Sequence, residues 1–436
     1  MKPYPSYKPS GVPWLGDVPG HWEAKKVKHI TRHTTGWTPP TGERAGYEGS
    51  NLWATIADLG ERVITDTKNR ISDEAVMQAS IVASPVGSLL FSFKLSVGQV
   101  SVAGVPLYTN EAIATFIPSE SFVVAWAFYA FPAFIPENSA TNIYGAKLLN
   151  QQRINDASLV VPPIDEQQAI ANYLDTETAR IDELIREKEG LIETLREFSR
   201  STFVGEFVAQ AASGINAHPR IEWLPAIPSD WTYCKVKHIV ESFDQGVSPQ
   251  CESRPPEGDE WGVLKVGCVN TGLFDPQESK ALPPDLPTFD EITLREGDVM
   301  VSRANTRNLV GRCAAADKAY PRLMLSDKVY RLRIDRQRCA PAFLVDLLAL
   351  PLIRQRIEER ATGASASMLN IDRRTILELD IVLPPLDVQL AIVQRIQGER
   401  QGISKLVEHV TSEIVLLHEL RAATITDAVT GKIQVS

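Results

Sequence analysis

Two stretches of this chain repeat apolar residues on a seven-residue period. In the first, Leu174, Ile181, Lys188 and Leu195 stand seven apart, interleaved with Leu184, Leu191 and Phe198. In the second, Ile396, Ile403, Val410 and Leu417 stand seven apart, with Leu406 and Leu420 between them. An a/d alternation held for three to four heptads predicts two long helices, each carrying an apolar seam. The same punctuation introduces both. An apolar strand runs into Pro162-Pro163 or Pro384-Pro385, whose missing N–H groups end a ladder, and Asp165 or Asp387 then suits a helix N-terminus. Ahead of each helix, short apolar segments broken by glycine and proline read as strands and turns. One continuous apolar run in each half, Phe122 to Ile135 and Ala342 to Ile353, reads as a buried helix.

These matched segments belong to a duplication. WLGDVPGHWEAKKVKHI (14–30) returns as WLPAIPSDWTYCKVKHI (223–239) at an offset of 209, pairing Trp14 with Trp223, Trp22 with Trp231 and the strand-like run Val27 to Ile30 with Val236 to Ile239. The turn Gly36-Trp37-Thr38-Pro39 answers Gly246-Val247-Ser248-Pro249, Gly87 to Ser92 answers Gly297 to Ser302, and Leu149-Asn150 answers Leu369-Asn370. VVPPIDEQQAIANYL (160–174) returns as VLPPLDVQLAIVQRI (382–396), now at an offset of 222, so loops changed length while the landmarks stayed. A period this long exceeds the roughly 20 to 50 residues of solenoid units. The expected fold class is α+β: two similar mixed α/β domains, residues 1–160 and 213–382, joined by two long helices, 161–212 and 383–436.

Each helix could pack on its own domain alone. Both halves carry one, however, and neither helix has another evident apolar partner, so pairing with each other is the expectation. The first helix must deliver the chain to the second domain, and an antiparallel second helix returns it towards the first. At about 1.5 Å per residue, some 35 to 40 helical residues span roughly 50 to 60 Å. The pair would act as a ruler between two similar readers, an arrangement suited to a target with two halves.

Composition narrows the chemistry. At 436 residues and 44 % hydrophobic, the chain can bury two or three cores. Its five cysteines (234, 251, 268, 313 and 339) are odd in number and never spaced as CxxC, which argues for a reducing compartment without structural zinc or a disulfide framework. No signal peptide is evident at the N-terminus, and the longest apolar run falls short of the roughly 20 residues a membrane span needs, so a cytoplasmic protein is expected. Net charge is −9, but the excess is local. Residues 161–212 hold 5 basic and 11 acidic residues, whereas 1–160 hold 13 of each and 213–382 hold 22 against 24. A basic face on either domain is therefore compatible with the balance and is not demonstrated by it.

Catalytic patterns are missing. There is no P-loop and no GxGxxG after a strand, and the seven histidines form neither HExxH nor a triad-like set; His29 and His238 read as structural. The VPPI and LPPL segments lack the acid or amide before the prolines and the aromatic after them that an amino-methyltransferase loop uses. Candidate contacts to nucleic acid lie in Arg303, Asn305, Thr306, Arg307 and Arg312, where arginines alternate with amide and hydroxyl groups. Arginine suits guanine and phosphate, and asparagine suits adenine. A solvated hairpin tip would have the same composition. The equivalent stretch of the first half, with Ser92 and Lys94, carries less charge, and Lys265 with Asn270, or Thr55 with Asp58, are further candidates.

The duplicated G-x-(S/T)-P turn, the Leu-Asn strand entry and the PP-(I/L)-D-x-Q helix start, together with the ending Ala428 to Ile433, resemble the specificity subunit of type I restriction–modification enzymes across the whole chain. The resemblance implies two target-recognition domains, each reading one half of a bipartite double-stranded DNA site, and an antiparallel coiled coil whose seam holds Leu174, Ile181, Leu184, Leu191, Leu195, Ile396, Ile403, Leu406, Val410, Leu417 and Leu420. It implies a subunit without catalysis or cofactor of its own. S-adenosylmethionine, ATP and Mg2+ would belong to the partners, two adenine-methylating modification subunits and the restriction subunits. The alternative of a different class is a scaffold whose paired domains bind protein rather than DNA.

Overall fold

The computed structural model describes residues 2–40, 44–94, 96–141, 147–211, 228–365 and 368–435. Trp223, the expected partner of Trp14, lies outside them, as does the start of the second repeat. The chain divides into two compact units, Met1–Gly190 with Val410–Ser436, and Leu191–His409.

In the first unit the central sheet has five strands in the order His33–Thr35, Ile113–Phe116, Leu89–Ser92, Val100–Ala103 and Val63–Ile64. The first four run antiparallel in succession, and the edge strand Val63–Ile64 is parallel to its neighbour. Leu89 to Ser92 and Ile113 to Phe116 are buried throughout, as strands covered on both faces must be. The helix Val124–Phe134 lies over them and buries Trp126, Tyr129, Phe131 and Phe134. Glu23–Lys26 pairs with Ser158–Val161, which ends where Pro162 removes the next donor.

The second unit repeats this plan. Its four-stranded antiparallel sheet runs Val240–Gln245, Val329–Ile334, Val299–Ser302, Cys313–Ala315. Thr232–Lys235 pairs with Asp380–Leu383. The apolar run after the sheet forms two helices, Pro341–Leu348 and Pro351–Arg360. One expectation is corrected: VKH is a 3-10 turn in both copies, Val27–His29 and Val236–His238. Only the valine is buried there, so the segment anchors the chain through one side chain rather than through a ladder.

The glutamine of the D-x-Q motif explains why that motif recurs. Gln167 and Gln389 are buried in the first turn of the long helices. Gln167 Oε1 accepts from Val123 N–H at 2.7 Å, and its amide donates to Pro162 O. Gln389 Oε1 accepts from Ala340 N–H at 3.0 Å, and its amide donates to Arg338 O and Pro384 O. One side chain thus ties the start of each long helix to the start of its buried helix and satisfies backbone groups that are costly to leave unpaired.

The long helices span Ile164–Ala211 and Leu386–Val429. In the first unit they are antiparallel partners: Lys188 meets Glu413 at 2.7 Å and Asp182 meets Arg421 at 2.8 Å. In the second unit Glu206 meets Arg395 at 3.1 Å. The buried row corrects the expected seam. Leu174, Ile181, Ile396 and Val410 are buried and Leu195, Ile403 and Leu417 half-buried, but Leu184, Leu191, Leu406 and Leu420 stand exposed. The interleaved seam positions lie four residues on rather than three, at Thr178, Ile185 and Ile192 and at Val407, Ile414 and Arg421. Apolar residues flank the seam on both sides (Leu184 beside Ile185, Leu191 beside Ile192), so a heptad count alone could not choose between them. Ile185→Asp is expected to destabilise the chain by about 3 kcal/mol and Leu184→Asp by less than about 0.5 kcal/mol, measured by denaturant unfolding. Equal effects would show that the seam has been placed on the wrong row.

Candidate nucleic-acid interface

In each unit a loop leaves the fully buried strand Leu89–Ser92 or Val299–Ser302 and returns through a glycine. Gly98 and Gly311 take φ of +96° and +71°, a region that disfavours a side chain. Their N–H groups donate to Ser92 O at 3.0 Å and Ser302 O at 2.7 Å. The two loops share these ends, but the second is three residues longer and carries Arg303 and Arg307, with Arg312 just past its glycine, where the first has Lys94.

Beside each loop lies the G-x-(S/T)-P turn. Trp37 N–H donates to Thr109 O at 2.9 Å, and Val247 N–H to Leu325 O at 3.1 Å. A Cβ on Gly36 would sit 1.7 Å from Thr109 O, and one on Gly246 1.8 Å from Leu325 O. Only glycine permits that approach. The turn is thereby pinned against an acidic residue, and the hydroxyls of Thr38 and Ser248 donate to the carboxylates of Glu111 and Asp327. Lys94 Nζ is 3.7 Å from Glu111 Oε1, and Arg303 Nη1 donates to Asp327 O at 3.0 Å. Burial alone would raise the Glu111 carboxyl. The bonds from Thr38 and a backbone N–H, with Lys94 nearby, outweigh it and hold the group below its ordinary value.

The structure brings several of the expected residues together. Asn305 donates to Asn270 at 3.1 Å and, through its oxygen, accepts from Thr306 N–H. Lys265 precedes the 3-10 turn Val266–Val269 that Asn270 closes. Arg307 is exposed, and Arg312 Nε donates to Asn308 O at 3.3 Å. Other candidates are corrected. Ser92 is completely buried in its strand, where no external ligand reaches it. Thr55 and Asp58 form a capping box on the 3-10 turn Ile56–Asp58, with Asp58 also accepting from Lys68 N–H, so their polar groups are committed locally.

Sequence reasoning missed Glu111 and Asp327, because they become equivalent only through register. Ile113 pairs with Ser92 and Val329 with Ser302, and each acid stands two residues before. It also missed Arg354, whose side chain is 9 % exposed. Arg354 Nη2 donates to Asn308 O at 3.4 Å and lies 3.3 Å from Glu358, beneath Gly311. The arginine loop therefore rests on the helix Pro351–Arg360. At the corresponding point the first unit has only a 3-10 turn, Ile135–Asn138.

Among the described residues no group of His, Cys, Asp and Glu is placed to hold a metal ion, and no helix is long and apolar enough to cross a membrane. Burial pushes the thiols of Cys268, Cys313 and Cys339 up to about 12, leaving them protonated and unreactive at neutral pH.

One frame is built twice in this chain, with differing loops at one place on the frame. Comparison with known proteins places the chain further. Residues 19–194 match the model of the type I restriction modification DNA specificity domain. Similar proteins include the type I restriction enzyme EcoEI specificity subunit of Escherichia coli, 30 % identical over 172 residues, which are 39 % of this chain and 29 % of that protein. The MjaIX specificity subunit of Methanocaldococcus jannaschii is 27 % identical over 44 % of this chain and 45 % of its own length. The chain thus spans less than half of either protein. A putative MjaX specificity subunit from the same organism aligns over 97 % of this chain at 22 % identity, covering 96 % of its own length. The HsdS subunit from Thermoanaerobacter tengcongensis shares the fold at a TM-score of 0.51 and 16 % identity, over 95 % of this chain and 98 % of that one. A chain from a structure of a type I R-M system, described for its complex assembly and conformational transition, reaches 0.68 at 16 % identity, over 95 % and 99 %. These similarities agree with the resemblance read from the motifs.

Proposed function

We propose that this chain reads a bipartite double-stranded DNA target and directs partner adenine-methyltransferase and restriction subunits to it. The observation that carries this reading is the duplicated frame with unlike loops: strand register, glycine closures and hydroxyl–carboxylate contacts repeat, while loop length and charge do not. Residues 1–160 and 213–382 serve as the two recognition domains, and helices 161–212 and 383–436 set their separation. Each half-site contributes modest affinity, and the linked domains bind strongly only when both sites fit at one spacing. The chemistry rests on the partners, which hold S-adenosylmethionine, ATP and Mg2+. Exposed apolar side chains on the long helices, Leu184, Leu416 and Leu420 in the first unit and Leu191, Phe198 and Leu406 in the second, support docking of two modification subunits there.

Mapping methylated adenines in the source genome tests the reading directly, with a motif of two short sequences and a fixed gap as the expected result. Removing seven residues from each long helix, which keeps the seam in phase and shortens it by about 10 Å, should shorten the tolerated gap by about 3 base pairs. Both half-sites should stay the same, and a change in the half-sites would overturn the ruler.

A further inference from the structure

A hydroxyl–carboxylate contact is kept in both copies although the loops beside it diverged, with Lys94 near the carboxylate in the first and Arg303 on the backbone carbonyl of the acid in the second. Neither Thr38 nor Ser248 is a core residue, and the Lys94 and Glu111 side chains are 47 % and 49 % exposed, so the fold does not need them for packing. A feature common to two readers of different sequences serves something both half-sites share, and what every DNA half-site shares is its phosphodiester backbone. A hydroxyl beside a cation is a phosphate-binding pair. In this structure the pair is met instead by an anion from the protein itself, the carboxylate of Glu111 or the Asp327 residue, which receives the Ser248 hydroxyl on its side chain and Arg303 on its carbonyl.

We propose that Thr38 with Lys94, and Ser248 with Arg303, each form a docking site for one DNA backbone phosphate, and that the carboxylates of Glu111 and Asp327 stand in for it until DNA displaces them. The site rests on the DNA-reading function above and adds to it a step of exchange, carboxylate for phosphate, at each half-site. The exchange has a signature that a structural clamp lacks. The acid competes with DNA, while the hydroxyl and cation bind it, so their substitutions act in opposite directions.

The test is equilibrium binding of the full chain to duplexes over a series of salt concentrations. Glu111→Gln and Asp327→Asn are expected to tighten binding about 3- to 10-fold on every sequence, by removing a like charge from the phosphate path. Thr38→Val and Lys94→Ala are expected to weaken it about 10-fold, with Lys94→Ala lowering the salt slope by about 1. On a duplex carrying a neutral methylphosphonate at the contacted position, the unsubstituted chain should bind less tightly, and Lys94→Ala should cost nothing further. Acid variants that weaken binding as the hydroxyl variants do would overturn the exchange, leaving the cluster as scaffold. Effects confined to one base sequence would overturn it in favour of a base contact. Failure of the unsubstituted chain to bind any duplex would instead remove the DNA-reading function itself.

Discussion

Replacing Arg307 and Arg312 together by alanine is expected to abolish discrimination at one half-site and leave the other untouched. A bidentate arginine–guanine contact contributes about 1–3 kcal/mol of discrimination, so if both arginines read guanine the pair would account for about 2–6 kcal/mol, at least roughly 30-fold in affinity. The asymmetry follows from the loops. Arg307 lies in the loop closed by Gly311 and Arg312 directly follows it, whereas the first loop, closed by Gly98, holds no arginine and is followed by Gln99. The loop is supported from behind by Arg354 and Ile357, so its side chains are presented on a backed surface rather than on a solvated tip. Binding is measured on duplexes altered in one half-site at a time. An equal loss on both would show that the arginines contribute general charge and no sequence reading.

The largest expected effect on stability lies deeper. Arg331 is 1 % exposed at the centre of the second unit's sheet. It meets Asp244 at 2.8 Å and Asp298 at 3.8 Å, and donates to the carbonyls of Glu291 and Thr293. Arg333 reaches Asp298 at 3.1 Å. Removing one partner of a buried ion pair typically costs about 3–5 kcal/mol when the other charge stays buried. Arg331→Met leaves Asp298 buried but still paired with Arg333, and leaves Asp244 about a third exposed. The loss is therefore expected at the lower end, about 3–4 kcal/mol, by denaturant unfolding. The pH dependence has a definite sign. Burial opposes ionisation of Asp244, but bonds from Arg331 and Ser242 outweigh it and hold the carboxyl below its unfolded value. Its contribution is therefore present above about pH 4, the unfolded carboxylate range, and is lost as pH falls through the lower folded value. Arg331→Met should flatten that acid limb. A variant as acid-sensitive as the parent would place the titration elsewhere.

Much of this architecture was legible in the sequence. The double prolines marked strand ends because proline cannot donate, and the heptads marked two long helices because nothing else sustains that period. The buried helix Val124–Phe134 was visible as one continuous apolar run. What escaped depends on three-dimensional register. The interleaved row of the seam could not be chosen where Leu184 adjoins Ile185. Ser92 looked like a surface polar group in the residue list, whereas the strand turns it into the sheet. Thr55 and Asp58 had the right types for base contacts and were consumed by a local cap. Glu111 and Asp327 could be paired only after the strands aligned them, since their spacing from the G-x-(S/T)-P turn differs between the copies.

The two ends of the chain meet in one core. Tyr4, Val18 and Trp22 share an apolar cluster with Ala428 and Val429, Lys2 bridges Gln434, and Tyr7 reaches Lys432 O. The second unit, by contrast, is drawn from one uninterrupted stretch, Leu191–His409. During synthesis the unit that holds Met1–Gly190 therefore waits for Val410–Ser436, which are made after the whole of Leu191–His409. Residues 4–22 would lack their partners Ala428 and Val429 until that segment is made, while Leu191–His409 would already be synthesised in full. Contacts this distant in sequence are slow to form and leave apolar surface exposed meanwhile. Newly made chains would consequently be most vulnerable to aggregation and proteolysis at their N-terminal half.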